Sequence, residues 1–144
     1  MPERCVDASV AIKWVVKAET WRKKARQFLL DSLRDGYDLL APPLFAYETE
    51  SVLQERLHSH TMTVAEVDQA LTRLTSFRVQ LVTHPDMVTR ARAIARQCNQ
   101  PRIYDALYAA LAELRGREFW TADRRFHDAV KANLTCVKYL PHYP

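Results

Sequence analysis

The chain predicts an α/β fold in which a mainly parallel, five-stranded sheet lies between helical layers. Two observations carry this: short apolar segments alternate with helical ones from end to end, and five of the short segments read as strands. A third sets the scale, because 144 residues without a linker, repeat or low-complexity tract make a single domain over residues 1–144.

In chain order, residues 4–6 are the first strand, and a helix begins near Ala8. A long amphipathic segment follows, with Trp21, Ala25, Phe28, Leu29 and Leu33 at helical spacing and a stop at Asp35-Gly36. Residues 37–41 form the second strand, closed by Pro42-Pro43. The next helix takes Leu44, Tyr47, Val52, Leu53 and Leu57 as its apolar stripe. Thr63 is placed as an N-cap, with Glu66 three residues on, for a helix ending near Ser76. Residues 79–82 are the third strand, and Pro85 opens a helix running to about Gln97. The segment I-Y-D-A-L-Y-A-A-L-A-E-L is a nearly all-apolar helix stopped by Gly116. A fourth strand over 118–121, a short helix over 124–131 and a fifth strand over 134–137 complete the pattern.

Composition narrows the chemistry. At 48% hydrophobic and 26% charged the chain has the make-up of an ordinary globular protein, and its net charge of +4 favours an anionic partner such as RNA or an acidic peptide. Two glycines, Gly36 and Gly116, exclude a Walker A loop and a G-x-G-x-x-G fingerprint. Three cysteines (Cys5, Cys98, Cys136) without C-x-x-C spacing argue against a disulfide framework or structural zinc, and fit a reducing cytoplasm. The run V-A-I-K-W-V-V is short and broken by Lys13, so neither a signal peptide nor a membrane span is expected.

Of the 17 acidic residues, four fall outside evident solvated faces. Asp7 ends the first strand and Asp123 the fourth; Glu48 and Asp105 lie early in helices that can open onto the same sheet edge. Ligands of open parallel sheets bind beyond the carboxyl ends of the strands. Carboxylates gathered there repel one another unless a cation intervenes, and oxygen-only ligands suit Mg²⁺ or Mn²⁺. Such a site polarises a phosphoryl oxygen and activates water, the chemistry of phosphodiester hydrolysis. The alternative for Asp7 and Asp123 is helix N-capping, and for Glu48 a solvated helical position. Asp105 is harder to assign to solvent, because its neighbours Tyr104, Ala106, Leu107 and Tyr108 read as a largely buried helix.

Four segments, in this order, resemble the motifs of PIN-domain ribonucleases, especially the VapC toxins of VapBC toxin–antitoxin pairs: C-V-D-A-S-V-A-I-K-W, A-P-P-L-F-A-Y-E-T-E-S-V-L, I-Y-D-A-L-Y-A-A-L-A and W-T-A-D-R-R-F. The resemblance covers essentially the whole chain. It implies a three-layer sandwich around a parallel five-stranded sheet, Mg²⁺- or Mn²⁺-dependent cleavage of RNA, a homodimer and, for a toxin, an antitoxin partner. Its acids map onto Asp7, Glu48, Asp105 and Asp123 as the catalytic set. Asp7, Asp105 and Asp123 are then the metal contacts, and Glu48 completes the site, often through water. Ser9 and Thr121 match hydroxyl positions that support the carboxylates, with capping and strand-end bonding as their alternative. One departure is Ser51, where the second motif often carries Asn. Glu50 competes with Glu48 as that motif's acid but points to another helix face.

Arg102, Arg124 and Arg125 flank the last two motifs and are candidate contacts to RNA phosphates, against a plain solvated surface. Arg22, Lys23, Lys24 and Arg26 read as the exposed face of their helix. Trp14, Trp21 and Phe28 read as core, or in part as a groove for an antitoxin helix. The five histidines show no ligand pairing and receive no catalytic role. Two other functions fit less well: a PIN nuclease of RNA processing without an antitoxin, and a catalytically silent RNA-binding PIN module. A phosphatase with an Asp nucleophile is discounted, since the second Asp it usually needs is here Ser9.

Overall fold

The computed structural model describes residues 2–144. Its elements are β1 (Glu3–Val6), α1 (Ala8–Val15), α2 (Arg22–Arg34), β2 (Asp38–Ala41), α3 (Leu44–His58), α4 (Val64–Ser76), β3 (Gln80–Leu81), α5 (Met87–Gln97), α6 (Tyr104–Arg115), β4 (Glu118–Thr121), α7 (Arg124–Val130) and β5 (Val137–Tyr139). A 3₁₀ turn over Leu140–His142 follows. The strands pair in the order β3-β2-β1-β4-β5, every pair parallel.

That order reverses direction at β1. Parallel crossovers are right-handed, so the connections running outward from β1 to β2 and β3 lay α1 to α4 on one face. Those returning to β4 and β5 lay α5 to α7 on the other. The packing agrees: α1 contacts α2, α3 and α4, whereas α5 packs on α6 and α6 on β1 and β4. The result is a three-layer α/β sandwich. One apolar cluster fills it, with Trp14, Phe28, Tyr108, Phe119 and Phe126 among its largest fully buried side chains. Tyr108 stacks on Phe119 at 5.4 Å and 14° between ring planes, tying α6 to β4.

Local signals set several boundaries. Thr63 and Glu66 close a reciprocal capping box at the start of α4. Gly36 and Gly116 follow α2 and α6 with φ of +75° and +66°, the left-handed conformation that glycine adopts without strain.

Five details depart from the sequence pattern. Trp21 precedes α2 in a left-handed conformation (φ 58°) and is 52% exposed instead of packing in the core. The face that α2 buries carries Ala25, Phe28, Leu29 and Ser32, which leaves Leu33 outside. In α3 the buried residues are Phe45, Thr49 and Leu53, and Tyr47 is 71% exposed. This turn of the helix brings Glu48 to the flank of the buried stripe. The fifth strand starts three residues later than expected, because Leu134 is used in the turn that ends α7, bonding to Val130 O, and is buried there. The third strand is only Gln80–Leu81, an exposed edge.

Among the described residues no helix is long and apolar enough to cross a membrane. All three cysteines are free.

Candidate active site

The strand order reverses between β1 and β4, and a crevice opens beyond the carboxyl ends of those two strands. Asp7 follows β1 directly, and Asp123 lies just past β4. Both are helix N-caps: an Asp7 oxygen accepts from Val10 N at 3.2 Å, and an Asp123 oxygen accepts from Phe126 N at 3.0 Å. Capping therefore accounts for one oxygen of each residue. Both residues also line the crevice.

Asp7 is only 5% exposed. Its Oδ1 accepts from Ser9 Oγ and its Oδ2 from Thr121 Oγ1, each at 2.6 Å. The same hydroxyls accept in turn from the backbone, Ser9 Oγ from Ala122 N at 2.9 Å and Thr121 Oγ1 from Asp123 N at 3.0 Å. This network stitches β1 to the loop that carries Asp123. Burial nevertheless pushes the Asp7 carboxyl up to about 7; the Ser9 and Thr121 bonds oppose the rise and the Asp105 charge adds to it.

Asp105 stands in the first turn of α6. Burial, then the charges of Asp123 and Glu48, push its carboxyl up to about 6, and only the charge of Arg102 pulls the other way. Glu48 accepts a hydrogen bond from the buried Tyr108 hydroxyl. Burial raises its carboxyl and the Tyr108 bond lowers it.

Asp7, Glu48, Asp105 and Asp123 all line one cavity of about 320 Å³, together with Ser9, Ser51 and Glu55. Glu48, Asp105 and Asp123 also line an adjoining cavity of about 490 Å³ that takes in Arg102, Tyr104 and Arg125. Thr121 sits behind Asp7, fully buried. Arg124 lines neither cavity and is paired with Asp128 at 3.6 Å. No histidine lines either cavity. His127 instead stacks on Tyr139.

Sequence reasoning overlooked Tyr108 and Glu55. A signal for each was present, since Tyr108 is three residues from Asp105 and Glu55 seven from Glu48, spacings that share a helix face.

The site thus collects four carboxylates that the neighbouring Arg102 offsets only in part, and its candidate donors are all oxygens. That donor set fits a hard divalent cation. Among the described residues no three His, Cys, Asp or Glu side chains stand close enough to enclose an ion. A divalent cation held there would have to keep part of its water shell.

A PIN-domain family model matches residues 4–132. No curated protein matches the chain. Among solved structures, the crystal structure of PAE2754 from Pyrobaculum aerophilum is similar in fold, with a TM-score of 0.65 and 21% identity over 93% of this chain and 95% of that one. PIN domains are generally nucleases and generally use divalent metals. With residues 4–132 of its 144 matched by that family model, the chain belongs to the PIN-domain family.

Proposed function

We propose that the chain is a divalent-metal-dependent endoribonuclease that hydrolyses phosphodiester bonds in RNA. One observation carries the reading: four carboxylates, two of them with strongly raised pKa values, share one cavity at the switch point of the sheet.

Asp7, Asp105 and Asp123 are the residues that would hold Mg²⁺ or Mn²⁺, with Glu48 completing the set. When bound, the ion supplies charge neutralisation at the phosphate and a more acidic water. The chain's own contribution is positioning. Ser9 and Thr121 fix both oxygens of Asp7, and Tyr108 fixes Glu48. Arg102 and Arg125 border the adjoining cavity, where guanidinium groups suit phosphate. Arg124 lies beyond that cavity and contributes at most long-range charge. Glu48, half-buried with a raised pKa, is the chain's proton acceptor for the attacking water.

The biological role that the four motifs favour is the toxin of a type II toxin–antitoxin pair, acting in the cytoplasm as a homodimer restrained by an antitoxin protein. Expression of the chain should then arrest growth, and co-expression of a small protein encoded beside it should restore growth and co-purify with it. Growth arrest that no neighbouring product relieves would favour a nuclease of RNA processing.

The nuclease reading is tested by incubating a mixed RNA pool with the protein in Mg²⁺, Mn²⁺ and EDTA, alongside Asp7→Asn. Cleavage in either metal, absent in EDTA and in the variant, supports it. Cleavage that persists undiminished in Asp7→Asn overturns the assignment of the site.

A further inference from the structure

A half-exposed aromatic ring stands next to the carboxylates without a structural task. Tyr104 opens α6 and is 51% exposed, while Tyr108, one turn on, is fully buried. Among the described residues the Tyr104 hydroxyl has no hydrogen-bond partner; the ring's polar neighbour is Arg102, whose guanidinium carbon lies 5.9 Å from the ring centroid. That distance is within reach of a cation–π contact. Leaving such a ring in water forgoes its burial, and α6 has Ala106, Tyr108, Ala109 and Leu111 to anchor it.

The position of the ring gives it a use. Tyr104, Arg102 and Arg125 line the cavity of about 490 Å³ that Glu48, Asp105 and Asp123 also line. That volume lies within the range of about 300–1,000 Å³ usual for small-ligand sites. A ring for a base, guanidinium groups for phosphate and carboxylates for the scissile bond are thus gathered around one space. Aromatic platforms flanked by cations are how proteins grip single strands, because every base has a face to stack and inside a duplex both faces are covered by neighbouring bases.

Building on the ribonuclease reading, we infer that Tyr104 is the stacking platform for one unpaired base beside the scissile phosphate. Arg102 and Arg125 hold the phosphates on either side of that nucleotide, and the ring makes the enzyme select single-stranded over paired RNA.

The test is binding, read separately from cleavage. A short labelled single-stranded RNA and the blunt duplex it forms with its complement are titrated with the full chain in EDTA, followed by fluorescence anisotropy. Tyr104→Ala should weaken single-strand binding roughly five- to 150-fold, the factor that corresponds to about 1–3 kcal/mol for one stacked base. Duplex binding should not change. Tyr104→Phe, which keeps the ring and drops the hydroxyl, should bind as the wild type does. Equal loss on both RNAs, no loss with Tyr104→Ala, or no binding of the single strand by the wild type would overturn the inference.

The two readings fail separately. Metal-dependent cleavage with single-strand binding indifferent to Tyr104→Ala removes the platform and leaves the nuclease. Single-strand binding that depends on Tyr104, without cleavage in any metal, removes the nuclease and leaves the platform.

Discussion

Replacing Asp7 by Asn should abolish cleavage and, without metal, make the fold more stable. Asp7 is buried, and its carboxyl pKa stands at about 7 against an ordinary value of 3.8. A folded-state pKa raised in this way favours folding when the group is protonated. That contribution is fully present below about pH 4 and is lost as pH rises through about 7. The gap of about three pH units, at 1.36 kcal/mol each, sets a ceiling of about 4 kcal/mol for the destabilisation of the metal-free protein at pH 8. Asn carries no charge, so the variant escapes that loss. Its amide oxygen can still accept from Ser9 Oγ and Val10 N. On the other side its NH₂ can donate to Thr121 Oγ1, whose hydrogen is then free to turn toward Ser9 Oγ, 3.4 Å away. The ceiling already counts the three bonds to the charged carboxylate, which lower its pKa, and the poorer fit of an amide in this hydrogen-bond network offsets part of the gain. The expected net effect is a stabilisation of about 1–3 kcal/mol at pH 8 in EDTA, shrinking toward zero near pH 4. Urea unfolding followed by fluorescence of the buried Trp14 and Trp120 measures it. Added Mg²⁺ should stabilise the wild type and not the variant. If Asp7→Asn proves less stable than wild type at pH 8 in EDTA, the carboxylate is a structural cap and no stored electrostatic strain exists at the site.

Two further perturbations test neighbouring parts of the account. Tyr108→Phe removes the hydroxyl that donates to Glu48. It should raise the Glu48 carboxyl further, move the acid limb of a cleavage pH profile upward, and cost about 1 kcal/mol in urea unfolding, whereas an unmoved profile would deny Tyr108 a positioning role. Trp21→Gly should change stability by less than about 1 kcal/mol, because glycine takes the left-handed conformation without strain and the ring it removes is half exposed. A loss of about 3 kcal/mol or more would place Trp21 in the core after all.

How far the sequence could be read depended on whether local chemistry or tertiary packing decided each feature. The strand Glu118–Thr121 was legible to the residue because Gly116 ends the helix before it and Asp123 caps the helix after it. The start of α4 was legible because a capping box is self-contained within four residues. Packing decided the rest. Trp21 and Phe28 share a helical face only if the helix includes Trp21, and it begins one residue later. In α3 the choice between Tyr47 and Phe45 as the buried aromatic is made by the sheet beneath, which no periodicity count reveals. Leu134 is apolar and buried, as a strand residue would be, yet it serves a turn.

The site divided in the same way. Asp7 and Asp123 could be located from strand ends, and Glu48 and Asp105 from helix starts. Choosing between caps and ligands could not be done from the chain alone, and the geometry shows why: each capping carboxylate uses one oxygen for its helix while facing a common cavity. Tyr108 was hidden by its own apolarity, since a tyrosine in an alanine- and leucine-rich helix reads as core, and core it also is.

The central claim is that four separated acids make one cation site, and Mn²⁺ binding tests it most directly. Titration of the metal-free protein, followed by electron paramagnetic resonance of the free ion, should show saturable binding by wild type. Asp105→Asn and Asp123→Asn should each weaken that binding roughly tenfold or more, and Glu50→Gln, on the exposed side of α3, should leave it unchanged. Equal binding by all four proteins would contradict the account, because the ion would then be held somewhere other than the cavity these carboxylates share.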